Sequence, residues 1–431
     1  MRYERMKGGP ELVPAIRGLV AQGADVSDAV AEIIAAVAAR GDAALGEYTE
    51  RFDEKPAPAL LVEADELAAA LASLPQALRD GLDVAIANVA AVGWEDSAGE
   101  ERQIRLRRGH RVVLREFAVE RAAVYVPGGA APYPSTVVMG VVTARAAGVL
   151  EIVVATPPPV NPALLAACAL TGVTEVYRVG GAQAIAALAL GTETVRPVDV
   201  IVGPGNLYVQ EAKRLLSDRV GIDGFAGPSD LFVLFDAADP GSIRLIALDL
   251  HAQAEHGAAT AVIAAAPDPA LLDALEADLR AIEVARGLTS EATCVLVETN
   301  SAWEGVELAN AYAPEHLELI GSDCEALAPH IRKAGAVFVG WPSATALGDY
   351  VAGSNHILPT GGSARFASGL RPRHFRRTLA EVHVTPESLV GLVPAGAAIA
   401  DAEGFRMHAE SMRARVPDIR DNPPQDASPP S

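Results

Sequence analysis

The sequence predicts an α/β protein: two parallel-sheet units in tandem, with an N-terminal helical layer and a small helical C-terminal segment. Three observations carry this. Between residues 121 and 235, short β-branched runs alternate with helical stretches, the pattern of parallel strands joined by right-handed crossovers. The same alternation repeats from HAQAEHG to AVFVG. Ahead of both, residues 19–92 hold apolar residues at helical spacing without such runs.

The start, MRYERMKGGPELVPAIRG, lacks the long apolar core of a signal peptide. SDAVAEIIAAVAARGDAALGEYTERFD reads as helix with Ser27 as its cap. DELAAALASLPQALRDGLDVAIANVAAV continues the period, broken at Pro75. Residues 96–119 turn polar and read as a loop leading into short strands. AAVYV, EIVVAT, EVYRVG, VDVIVG and DLFVLF are then strands, separated by STVVMGVVTARAAG, PALLAACALTG, AQAIAALALG and NLYVQEAKRLLSD as helices. In the second series TAVIAAA, TCVLVE, HLELIG and AVFVG are the apolar runs. After residue 371 the chain is basic and irregular (RPRHFRRT), then helical in PESLVGL and AAIADAEGFRMHAESMRARV. The Pro/Ser/Asp-rich tail PDIRDNPPQDASPPS is expected to be disordered.

The expected division is an extension over 1–18, a first α/β domain of 19–120 with 236–370, and a second α/β domain over 121–235. A C-terminal segment over 371–420 and a tail over 421–431 complete it. The chain has 431 residues, half of them hydrophobic, enough for large cores. With 35 Lys+Arg against 55 Asp+Glu the formal net charge is −20, which argues against nucleic-acid or anionic-membrane partners. No run of 18 apolar residues occurs. Cys168, Cys294 and Cys324 are scattered, so neither a disulfide framework nor a cysteine zinc site is expected, and a cytoplasmic location fits.

Several clusters carry chemistry. Glycine turns follow three strands of the first series: Val126-Pro127-Gly128-Gly129, Val179-Gly180-Gly181-Ala182-Gln183 and Val202-Gly203-Pro204-Gly205-Asn206. Such turns open helices whose free N–H groups hold phosphates, and Gln183 and Asn206 add amide side chains. No G-x-G-x-x-G follows any strand. In Asp249-Leu-His251-Ala-Gln253-Ala-Glu255-His256, Gln253 and His256 are three apart and share a helical face, a spacing that suits two metal ligands. Pro314-Glu315-His316 sets a carboxylic acid and an imidazole at a strand mouth, a possible acid/base pair. The polar loop from Gly348 through Asp349 and His356 to Thr360 offers a carboxylate for a metal. Glu403 and His408 lie five apart, about 140° on an ideal helix, and share a face only if a helix begins or bends near Gly404.

Taken in order, the strings YVPGG, GGAQAIAALALGTE, GPGN, GIDGFAGPSD, QAEHG, YAPEHLE, GDYVAGSNHILPT and EGFRMHAES resemble the histidinol dehydrogenase family, from about residue 20 to 415. The resemblance implies an incomplete, atypical Rossmann-like fold. It implies a four-electron oxidation of L-histidinol through L-histidinal to L-histidine, using two NAD+ and one water, in histidine biosynthesis. One Zn2+ per subunit would be held by Gln253, His256, Asp349 and His408. His316 would be the general base, and Glu315 would activate the water. Ser229, Gln253, His256, His316, Asp349, Glu403 and His408 match the family's substrate contacts, and Tyr125, Gln183 and Asn206 its NAD contacts. The 19–120 plus 236–370 domain would then carry zinc and catalysis, and 121–235 would bind NAD. The family is a homodimer, so the 371–420 segment would dimerise and Glu403 and His408 would complete the neighbour's site. His251 and Ala252 depart from the family's usual residues beside the zinc ligands. The alternative is a paralogue that oxidises another small alcohol, such as a sulfonated diol, with the same zinc and NAD machinery.

Overall fold

The computed structural model describes residues 1–20, 23–53, 59–97, 101–128, 132–224 and 227–416. Two parallel sheets dominate. The first has five strands, in the order Glu175–Arg178, Glu151–Thr156, Arg121–Tyr125, Val200–Val202, Gly221–Ile222. Counted along the chain this order is 3-2-1-4-5, all pairings parallel. The second has six strands: Arg2–Lys7, Thr293–Glu298, Ala261–Ala266, Asp230–Phe235, His316–Ile320, Ala336–Val339. Without its first, edge strand, it repeats the same 3-2-1-4-5 order, again all parallel. The central strands read as unbroken apolar runs because both faces of a parallel sheet are covered. All residues of Asp230–Phe235 and Ala261–Ala266 are buried.

The N-terminal helices belong with the five-stranded sheet. Ser27–Arg40 packs on Gly181–Leu190, Ala64–Ala72 on Pro162–Leu170, and Gln76–Ser97 on Pro134–Ala146. Each buries one stripe at helical spacing, such as Val30, Ile33 and Val37. Helix Pro134–Ala146 lies inside this layer and is buried on nearly every side, so it shows no polar face. Full burial of each such apolar side chain is worth about 1.5–3 kcal/mol.

Several expectations are corrected. The 1–18 extension supplies an edge strand, Arg2–Lys7, which pairs beside Thr293–Glu298 with Tyr3 and Met6 packed on opposite faces of the sheet. Strand Asp230–Phe235 was expected to close the second α/β domain, but it is a central strand of the six-stranded sheet, so 121–235 spans two sheets. The helices of 19–120, expected in one domain with 236–370, pack on the other sheet. Ser27 is the first helical residue rather than the cap, and its N–H is taken by the Asp25 carboxylate.

Among the described residues, a second unit consists of 101–117 and 376–416. Its sheet runs Arg376–His383, Arg111–Ala118, Arg102–Arg105, so the basic stretch read as irregular is partly strand. Helix Pro386–Ala402 is capped by Thr385 and packs on Arg406–Arg413. The chain breaks between them at Gly404, whose φ of +82° favours glycine. The tail expected to be disordered lies outside the described residues.

Candidate active site at the amino edge of the six-stranded sheet

Glu315 and His316 sit where a strand begins. Helix Ala302–Tyr312 ends with Ala313 in the left-handed region at φ +53°, a costly conformation for a residue with a side chain. The turn delivers Glu315 just ahead of His316, the first residue of its strand. The neighbouring strand starts at Asp230, preceded by Ser229. Helix Pro240–Ala254 runs back from that strand, so its C-terminal end brings Gln253 to the same edge. Beyond it, the His256 N–H bonds the Gln253 carbonyl at 3.2 Å, keeping the two in one tight turn.

A hydrogen-bonded chain links these residues. Gln253 Nε2 donates to Ser229 Oγ at 2.7 Å, and Ser229 Oγ donates to Glu315 Oε2 at 2.5 Å. Glu315 Oε2 also accepts from the Asp230 amide at 3.1 Å, while Asp230 Oδ1 accepts from the Glu315 amide at 2.7 Å. The two strand starts thus clasp each other. Burial raises the Glu315 carboxyl above its ordinary pKa, against the pull of His316. Burial and the Glu315 charge push Asp230 up to about 7. Asp230 is faced as well by the Tyr312 hydroxyl and by Arg17, which lies over the Tyr312 ring at 4.6 Å.

His316 is buried, and its two ring nitrogens differ. Nε2 is 3.3 Å from Asp349 Oδ1 and donates to it, whereas Nδ1 lies 3.9 Å from Glu315 Oε2 with no hydrogen-bond partner. Burial alone would lower this imidazole, but the Asp349 hydrogen bond and the Glu315 charge prevail and push it up to about 9. Burial would raise Asp349, but His316 holds it below the ordinary carboxylate range, with His356 and His256 adding to the effect. Asp349 lies on the short helix Thr345–Tyr350 and not in the loop the sequence suggested. His356, to which the sequence gives no role, follows that helix. Its Nδ1 donates to the Asp349 carbonyl at 2.8 Å, so its Nε2 is left to accept from the Thr136 hydroxyl at 3.1 Å. Burial keeps it neutral by lowering its pKa. It ties the Asp349 segment to the helix after the first strand of the five-stranded sheet.

The first unit therefore offers a metal one amide, one imidazole and one carboxylate: Gln253, His256 and Asp349. Among the described residues no three His, Cys, Asp or Glu side chains gather at metal-holding distance, and the fourth expected ligand, His408, belongs to the second unit. The donor set still fits a divalent ion. Gln253 spends its N–H on Ser229, which leaves its oxygen as the ligating atom. Asp349 is held ionised, and His256 is exposed and lies near Asp349 and Glu315. His251 does not join them. It is buried with Nε2 on the Leu279 carbonyl at 3.1 Å, a packing contact with the next helix. Glu403 and His408 are exposed on either side of Gly404.

The cofactor residues expected from the sequence lie at the carboxyl ends of the five-stranded sheet. Tyr125 ends its first strand, and the buried hydroxyl accepts from the Gly181 N–H at 3.1 Å. Gly181, at φ +67°, opens the helix that carries buried Gln183, and a Cβ there would meet Gln183 Oε1 at 2.7 Å. Asn206 caps the next helix, accepting from the Val209 N–H at 3.2 Å. Gly203 lies so close to the Tyr125 carbonyl that a Cβ would sit 2.0 Å from it. Its N–H donates to Asp223 Oδ2 at 2.7 Å, and its carbonyl accepts from buried Lys213, whose Nζ is 2.7 Å from Asp223 Oδ1. Three helix N-termini and glycine-lined turns at one edge fit a phosphate-bearing cofactor. Gly129 of the first turn lies outside the described residues.

Known proteins match the chain over nearly its whole length. A family model described as histidinol dehydrogenase matches residues 19–416. A histidinol dehydrogenase of Cereibacter sphaeroides is 44% identical over 413 residues, 91% of this chain and 92% of the relative. One of Rhodospirillum rubrum is 42% identical over 432 residues, 94% and 96% of the two chains. The crystal structure of histidinol dehydrogenase from Elizabethkingia anophelis superposes with a TM-score of 0.88 at 31% identity, covering 96% of this chain and 98% of that one. With the family model, the relatives and the solved structure in agreement over nearly the whole chain, the chain belongs to the histidinol dehydrogenase family.

Proposed function

We propose that this chain oxidises L-histidinol through L-histidinal to L-histidine in histidine biosynthesis, consuming two NAD+ and one water. The observation that carries the reading is the buried Gln253–Ser229–Glu315 chain beside the His316–Asp349 pair. In each oxidation a proton leaves oxygen as hydride leaves carbon for NAD+. His316 Nδ1, the ring nitrogen without a partner, accepts that proton when the ring is neutral, a form that grows as pH rises toward the raised pKa of about 9. Glu315, beside it, takes a proton from the water that adds to the aldehyde. Burial favours that uptake by raising the carboxyl's basicity. Ser229 holds Glu315 in place through its hydroxyl and contacts the substrate.

Gln253, His256 and Asp349, with His408, would hold one Zn2+, with Glu403 beside the substrate. The ion supplies a fixed positive centre that orients the substrate's imidazole and amine. Tyr125, Gln183 and Asn206 would hold NAD+ at the glycine turns. The exposure of Glu403 and His408 on the second unit supports a homodimer in which they complete the neighbour's site. Among the described residues no helix is long and apolar enough to cross a membrane, and the three cysteines are buried and unpaired, which supports a cytoplasmic enzyme. The test supplies pure, zinc-loaded protein with L-histidinol and NAD+. Histidine and NADH should form together, and a panel of other small alcohols should react far more slowly. A non-imidazole alcohol turned over faster than histidinol contradicts the substrate assignment.

A further inference from the structure

The strand that carries His316 also carries Glu318, two residues on and so on the same face. Glu318 is 1% exposed. Its Oε1 accepts from the Thr345 N–H at 3.0 Å and from the Thr345 hydroxyl. Thr345 opens the helix Thr345–Tyr350, and Asp349 lies four residues on, one turn along the same face. Asp349 returns to the strand at His316. A single helical turn is therefore fastened to one strand at both ends. Asp249 faces Glu318 from helix Pro240–Ala254, one turn before Gln253. Beneath Gln253, His316 and Asp349 thus lie Asp249, Glu318 and Thr345, one from each element.

We propose that Glu318 is a positioning residue for Asp349: by capping the helix at Thr345 it fixes the carboxylate that the metal site requires. This rests on the metal reading above. A six-residue helix has little cooperative stability and an unsatisfied N-terminus, so without a cap its turn frays. An apolar residue would fill the space with no desolvation cost, whereas Glu318 Oε2 is left without a hydrogen-bond partner. Burial and the charge of Asp249 push the Glu318 carboxyl up to about 7, with Thr345 and His316 the groups that lower it. A carboxyl kept there at such cost is explained by the bonds it makes to Thr345.

Zinc affinity of the full-length protein, read by competition with a chelator, tests this. Changing an outer partner of a metal ligand weakens binding by roughly 10- to 100-fold, which is the loss expected for Glu318→Ala. Glu318→Gln keeps an acceptor for Thr345 and should lose less. Thr345→Val should weaken zinc, and Thr345→Ser should restore it, which covers the case in which Glu318→Ala fails to fold. Melting of the metal-free proteins separates a structural role. Variants that melt lower but bind zinc as tightly as the wild type overturn the proposal. So do Thr345→Val and Thr345→Ser proteins that are indistinguishable. A wild-type protein that takes up no zinc overturns the metal reading and the proposal with it. Tight wild-type binding with unaffected variants overturns the proposal alone.

Discussion

At His316 the two ring nitrogens have different neighbours, and the chemistry follows from that difference. Nε2 is committed to Asp349, and Nδ1 is left toward Glu315. Replacing His316 with Ala should lower kcat about 10²- to 10⁴-fold, the usual contribution of a general base, while zinc content stays at the wild-type level. A variant that loses its zinc would mark His316 as a ligand instead. Glu315→Gln should stall after the first oxidation, because the water that adds to the aldehyde is no longer activated. The measurement is NADH formed per histidinol consumed, expected to fall from two toward one, and an unchanged ratio contradicts the assignment. Glu315 and His316 were legible because they are adjacent in sequence. The partners of Glu315 were not, because Ser229 and Asp230 lie some 85 positions away and meet it only through strand pairing. His356 was legible as a polar residue but not as a tie, since its Thr136 partner is 220 positions distant.

Between elements, buried charge does the positioning. Lys213 and Asp223 close on both sides of Gly203, at the turn that leads to Asn206. Asp223→Ala removes the clasp and strands a buried cation, a change that costs about 3–5 kcal/mol in comparable pairs. Binding of NAD+, followed by fluorescence titration, should weaken well beyond any change in KM for histidinol. Equal effects on both ligands would argue against a local role. The Asp249–Glu318 pair makes a pH prediction. Both carboxyls are raised in the fold, to about 6 and about 7, so the native state holds protons that the unfolded chain has released. Their contribution to stability is complete below the ordinary carboxylate range and is lost as pH rises through 6 to 7. Glu318→Gln should therefore flatten the fall in Tm between pH 5 and 8, relative to wild type. A parallel displacement of the two curves contradicts this. At this scale apolar periodicity showed most helices and strands, because burial imposes it. Asp349 reads as a loop residue in the sequence because its six-residue helix is too short to show a period and owes its start to Glu318.

As a whole, the chain builds the same 3-2-1-4-5 parallel order twice, and its candidate site residues lie at opposite edges of the two sheets. NAD+ is expected at the carboxyl edge of one, where helix N-termini point, and the carboxylates and imidazoles gather at the amino edge of the other. Alternation along the sequence revealed both units. It did not reveal that Asp230–Phe235 begins the second sheet, because a fully buried strand reads the same in either. The placement of Glu403 and His408 in a separate unit makes a prediction at the level of the assembly. If they act in trans, mixing inactive His316→Ala and His408→Ala subunits, with reassembly, should restore activity, since one site of each mixed dimer is intact. Failure to recover activity in verified mixed dimers argues that both residues act within one chain. The central claim is the complete oxidation of an amino alcohol to an amino acid at one site. It is tested most directly by the stoichiometry of the zinc-loaded enzyme with limiting L-histidinol and excess NAD+. Two NADH and one L-histidine per histidinol consumed are predicted, and no NADH, or NADH without histidine, would contradict it.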